Sequence, residues 1–105
     1  MTERAHIVQE AVNRLVRRLH PERIYLFGSR ARGQATEASD IDLLVVVPTS
    51  DLPRQRRESA SYDLLWGIAV PIDVIVLTRD EFERSRRVKT SLASVVASEG
   101  QVVHG

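Results

Sequence analysis

Asp40-Ile41-Asp42 stands at the entry to the strongest β-prone run of the chain, Ile41 to Val47. Side chains two apart on a strand project from the same face, so the two carboxylates point the same way. A third acid, Asp73, lies near the start of another apolar run, Ile72-Asp73-Val74-Ile75-Val76-Leu77. If the two runs are neighbouring strands, three carboxylates converge. Like charges 4 Å apart repel by about 1 to 4 kcal/mol per pair at effective dielectrics between water and a protein surface, and divalent cations are the natural offset. Mg²⁺ binds through one or two carboxylates and keeps places for water and substrate phosphates. Two such ions about 3.5 to 4 Å apart can activate an attacking oxygen and stabilise the leaving oxygen of a displacement at phosphorus. The acids are therefore expected as metal ligands, not as general acids. Each also has an ordinary alternative. Asp40 could cap a turn after Ser39, Asp42 could sit exposed on a half-buried strand, and the role of Asp73 depends on the strand pairing. Asp42 is the hardest to dismiss, because an unpaired charge within an apolar strand is costly.

Upstream lies Leu26-Phe27-Gly28-Ser29-Arg30-Ala31-Arg32-Gly33. A strand running into Gly-Ser and then a short helical turn offers backbone N–H groups to a triphosphate, and glycine permits close approach. Ser29 adds a hydroxyl donor. A P-loop is rejected, because Gln34-Ala35 occupies the place of the Lys-Ser/Thr pair that would hold phosphate and Mg²⁺. Ser29 is also a poor nucleophile candidate, since His6, His20 and His104 lie in elements with no evident route to it. Taken alone, Gly28-Ser29 is a turn.

The elements that must position these residues are legible in the pattern. Ile7, Val8, Ala11, Val12, Leu15, Val16 and Leu19 recur at helical spacing, with Thr2 as a candidate N-cap and Pro21 as a stop. Ile24 to Phe27 reads as a short strand ending at Gly28, and the unbroken Leu43 to Val47 run as a strand covered on both faces. After Pro53 a helix is expected, polar at Arg54 to Glu58 and apolar at Tyr62, Leu64, Leu65 and Ile68. A third strand spans Ile72 to Leu77, and Thr78-Arg79-Asp80-Glu81 is a capping-box pattern that opens a further helix. Leu92, Val95 and Val96 suit a short helix over Thr90 to Glu99 with Gly100 as its stop, and Gln101 to His104 an edge strand. The expected fold is α/β (α+β), a small mixed sheet flanked by helices, in a single domain over residues 1–105.

Composition sets bounds on the chemistry. The chain has 105 residues, 43% hydrophobic and 28% charged, as in ordinary globular proteins. It has no cysteine, which excludes disulfides, zinc-thiolate sites and thiol nucleophiles and leaves oxygen ligands for any metal. The N-terminal segment has charges spread through it and no apolar h-region, so a cytoplasmic location without membrane attachment is expected. Of the 15 basic residues all but Lys89 are arginine, clustered at Arg54, Arg56, Arg57 and at Arg84, Arg86, Arg87. Guanidinium forks suit phosphate or carboxylate surfaces, although a solvated helix face is the more ordinary reading of each cluster. Net charge is only +1, and Tyr25, Phe27, Tyr62, Trp66 and Phe82 form no interleaved basic-aromatic patch, which argues against nucleic acid. Tyr62 and Trp66 share one face of the middle helix and are expected in the core or at an interface.

Phe27-Gly28-Ser29, ten further residues, then Asp40-Ile41-Asp42-Leu43, with a later Asp73 in a strand, resembles the signature of the DNA-polymerase-β-like nucleotidyltransferase superfamily. Within it, Leu26 to Gly33, Ser39 to Val46 and the ending Glu99-Gly100-Gln101-Val102-Val103 are similar to the minimal nucleotidyltransferase family. The resemblance implies that Gly28 and Ser29 contact nucleotide phosphates, with Arg30 or Arg32 in reach of them. It implies that Asp40, Asp42 and Asp73 form a catalytic triad binding Mg²⁺, with two ions expected and ATP as substrate. Relatives of this size are often paired with a helical HEPN protein, some acting as antitoxins by transferring AMP to a tyrosine of that toxin. The resemblance thus implies a Mg²⁺-dependent adenylyltransferase in a hetero-oligomer with its acceptor. Two alternatives stand beside it: a non-catalytic antitoxin module that binds nucleotide or partner, and nucleotidyl transfer to a small molecule or RNA.

Overall fold

The computed structural model describes residues 3–28 and 41–105. Four helices and four strands follow in the order α1 (Glu3–Leu19), β1 (Arg23–Phe27), β2 (Ile41–Val47), α2 (Arg54–Leu64), β3 (Ile72–Thr78), α3 (Arg79–Arg86), α4 (Leu92–Glu99) and β4 (Gln101–His104) among the described residues. The sheet order is β3-β2-β1-β4. β2 and β3 run parallel, and β1 is antiparallel to both β2 and β4. This is the mixed sheet flanked by helices that the strand and helix periodicities predict.

The central strand explains the architecture. Leu43, Leu44, Val45, Val46 and Val47 are all buried because β2 is sandwiched. Leu43 and Val45 face a core shared with Val8, Ala11, Val12 and Leu15 of α1. Leu44 and Val46 face a second core built with Tyr25, Phe82, Ala93 and Val96, from β1, α3 and α4. α1 ends where His20 adopts φ 48 and its N–H reaches Val16 O at 3.1 Å, a left-handed cap ahead of Pro21. The expected N-cap, Thr2, lies outside the described residues.

β3 is an edge strand, and side chains occupy its outward hydrogen-bonding groups. Val74 N–H donates to the Tyr62 hydroxyl at 3.1 Å and Val76 N–H to Glu58 Oε2 at 3.1 Å, while Arg57 Nη1 donates to Val76 O at 3.0 Å. α2 therefore takes the place of a further strand and closes that edge to pairing with another chain. At the end of β3, Thr78 and Glu81 form the expected capping box: Glu81 N–H donates to Thr78 Oγ1 and Thr78 N–H to Glu81 Oε1.

Gly100 ends α4 as expected, and two details go beyond the sequence pattern. Gly100 stops α4 in extended backbone, φ −73 and ψ 159, and not in the left-handed conformation usual for a C-terminal glycine. Its requirement is space, since a Cβ there would lie 2.6 Å from Val96 O. Trp66 does not enter the core: α2 ends at Leu64, and the indole beyond it is 85% exposed.

Candidate active site

β2 and β3 pair in register, and the register places Asp42 opposite Asp73. Neighbouring strands lie about 4.8 Å apart, so the two carboxylates are adjacent on one face of the sheet. Above them Ile41 N–H donates to Pro71 O at 3.1 Å, fixing the entry of β2 against that of β3. On that face the rows below are apolar, Leu44 beside Ile75 and Val46 beside Leu77. The acids continue the same alternation into a row where water has access: Asp73 is exposed and Asp42 half-buried. The strand pairing on which the case for Asp73 depended is present.

The third member of the row comes from β1. Phe27 is the register partner of Asp42, and Gly28 follows it with φ 79, a conformation that favours glycine. A Cβ at Gly28 would lie 2.6 Å from Asp42 Oδ2. Gly28 thus brings the backbone against an acid carboxylate for two separate reasons, torsion and space. Along the row the order is Asp73, Asp42, then Phe27 leading into Gly28. Asp40, Ser29, Arg30 and Arg32 lie outside the described residues, and among the described residues no group of three His, Cys, Asp or Glu side chains gathers as a metal site.

The donor chemistry of the row fits a hard divalent cation. Its ligating atoms are carboxylate oxygens, and the imidazoles are elsewhere: His6 on α1, His20 before β1, His104 opposite Ile24 at the other end of the sheet. Oxygen-only donor sets suit Mg²⁺ and related ions.

A second charged cluster lies at the far end of β3. Arg57 is buried and meets Glu81 through paired bonds, Nη1 to Oε1 at 2.7 Å and Nη2 to Oε2 at 3.1 Å. The Arg57 hydrogen bonds, then the Thr78 N–H, hold the Glu81 carboxyl down at about 2, well below its usual range. The sequence pattern placed Arg57 in a solvated basic cluster. Arg54 and Arg56 fit that description and Arg57 does not, because it faces the sheet.

Sequence reasoning also missed the neighbourhood of Phe27. Leu92, Val95, Val96 and Glu99 of α4 line a cavity with Phe27, Gly28 and Gly100. The helix packs into the core through Ala93 and Val96, while Leu92 and Val95 remain 45% and 41% exposed. Ala93 and Ala97, at helical spacing with Val96, were the available signal.

Residues 8–102 match the nucleotidyltransferase domain family. Among solved structures, the chain is similar to a candidate nucleotidyltransferase from Sulfolobus solfataricus, with 31% identity and a TM-score of 0.60 over 75% of this chain and 70% of that one. No curated protein matches significantly.

Proposed function

Because the chain belongs to the nucleotidyltransferase domain family, we propose that it transfers AMP from ATP, with Mg²⁺, to a tyrosine hydroxyl of a partner protein, a helical HEPN toxin that it thereby neutralises as an antitoxin. Nucleotidyl transfer is the chemistry of the family; the nucleotide, metal, acceptor and biological role are the proposal. The observation that carries it is the in-register pair Asp42 and Asp73 beside the left-handed Gly28. Two adjacent carboxylates next to a close-approaching backbone suit cation-bridged phosphates better than they suit stability.

Asp42 and Asp73, with Asp40, would hold Mg²⁺, which when bound supplies charge neutralisation and Lewis acidity at phosphorus. The backbone at Gly28 leaves room for phosphate oxygens, and Ser29, Arg30 and Arg32 add donors to them. In the transfer, the tyrosine oxygen forms a bond to the α-phosphorus as the bond from that phosphorus to the bridging oxygen breaks. Pyrophosphate leaves and the hydroxyl proton passes to water. Asp73 is exposed, so an acceptor hydroxyl can reach this member of the row. Beyond α2 the Trp66 indole is 85% exposed, an anchor suited to contact with a partner protein.

The test is to incubate the protein with α-labelled ATP, Mg²⁺ and the product of the adjacent gene. Label on a partner tyrosine is expected. A stable complex without label would instead mean neutralisation by contact alone, and label on a small molecule or RNA would change the acceptor.

A further inference from the structure

The cavity at Phe27 lies directly beside the acid row. It measures about 260 Å³ and shares Gly28 with the row, and Gly28 is also the residue whose α-carbon abuts the Asp42 carboxylate. Leu92, Val95, Val96 and Glu99 stand at i, i+3, i+4 and i+7 of α4, so one helical stripe forms the wall opposite Phe27. Gly100 lets that wall approach β1: a Cβ there would lie 2.6 Å from Val96 O and 3.4 Å from Leu26 O.

We propose that this cavity is the nucleobase site, taking a purine with an exocyclic amino group whose triphosphate extends over Gly28 to the acids, and that Glu99 reads the amino group. The proposal rests on the nucleotidyl-transfer reading of the row and adds a recognition element to it. Three features select the occupant. The volume is below the ~300–1,000 Å³ of pockets that enclose a whole drug-sized ligand, so it suits one ring system of a larger molecule. Among the described residues its side-chain lining is aliphatic and aromatic apart from Glu99. Such a lining suits a flat apolar ring, and Leu92 and Val95 are left partly in water for it to cover. Finally, a carboxylate only accepts hydrogen bonds. Glu99 favours adenine or guanine, which offer exocyclic amino donors, over uracil, whose one pairing-edge N–H lies between two carbonyl oxygens that a carboxylate repels. The cavity lies on the β1 side of the row, away from Asp73, which is exposed.

The experiment is calorimetric titration of the whole chain, with Mg²⁺, by ATP, GTP, UTP and inorganic tripolyphosphate. Wild type is expected to bind ATP or GTP at least about tenfold more tightly than tripolyphosphate or UTP. V95D, an exposed substitution, should remove that advantage and leave tripolyphosphate affinity unchanged. Glu99→Gln should narrow the gap between the favoured purine and UTP, and an unchanged melting temperature controls for folding. If V95D binds ATP and GTP as wild type does, or if tripolyphosphate matches both purine nucleotides in wild type, the base site is overturned while the phosphate site stands. If no nucleotide and no tripolyphosphate binds, the reading of the acid row falls and the base site with it.

Discussion

The parallel pair β2 and β3 carries acids at both ends, in opposite circumstances. At the lower end Glu81 is met by the Arg57 fork and by Thr78 N–H, and its carboxyl is held near 2. At the upper end Asp42 is set beside another carboxylate, Asp73. The first arrangement lowers the energy of the charged state within the chain itself. The second sets two like charges side by side, a repulsion that a shared cation would offset. The lower pair is a structural contact, whereas the upper pair is the one the proposed chemistry would use.

Substitutions at the two ends should therefore fail in different ways, and the largest effect belongs to the upper row. Asp42→Asn should reduce nucleotidyl transfer by about 10³-fold with the melting temperature retained or slightly raised, measured by label transfer and thermal unfolding. If partner neutralisation survives in this variant, contact alone is the mechanism. Gly28→Ala comes next. With φ 79 and a Cβ 2.6 Å from Asp42 Oδ2, it should displace the carboxylate, cut activity by about 10- to 100-fold and cost about 1 kcal/mol of stability.

At the lower end, Arg57→Ala should cost about 2 kcal/mol, below the full loss of a buried pair because Glu81 is 32% exposed. Denaturant unfolding measures it. The same variant sharpens the contrast through pH. The folded Glu81 carboxyl lies at about 2 against 4.5 for the free group, so its contribution is complete above pH 4.5 and is lost as pH falls from 4.5 toward 2. Wild type should lose stability across that window and Arg57→Ala should lose less. The smallest effect is Asp73→Asn without metal: relief of repulsion should raise stability by up to about 1 kcal/mol, a gain that Mg²⁺ and nucleotide should erase by favouring wild type.

Much of this frame was readable from residue types. Five consecutive aliphatic residues from Leu43 to Val47 can only be accommodated between two layers, and the Thr78 to Glu81 spacing carries its own capping chemistry. The convergence of Asp42 with Asp73 was conditional in the sequence, because periodicity gives the face of a residue and not the identity of its neighbouring strand. Register decides that, through long-range packing. The same limit hid Arg57. Its neighbours Arg54 and Arg56 are solvated, and which of several arginines turns inward depends on where α2 meets β3. Leu92, Val95 and Val96 gave the helix but not its facing: Ala93 and Val96 pack the sheet and leave Leu92 and Val95 beside a cavity. The sequence pattern puts Trp66 on the middle helix, yet α2 ends at Leu64 before it. Each miss concerns orientation relative to a distant element, whereas local chemistry was read directly.

The central claim is that Asp42 and Asp73 hold a cation in common beside Gly28. Its most direct test is anomalous scattering from crystals grown with Mn²⁺ and a non-hydrolysable ATP analogue. The account predicts an anomalous peak within coordination distance of both carboxylates, with the phosphates over Gly28; a nucleotide bound with the metal elsewhere, or a peak touching neither acid, would contradict it.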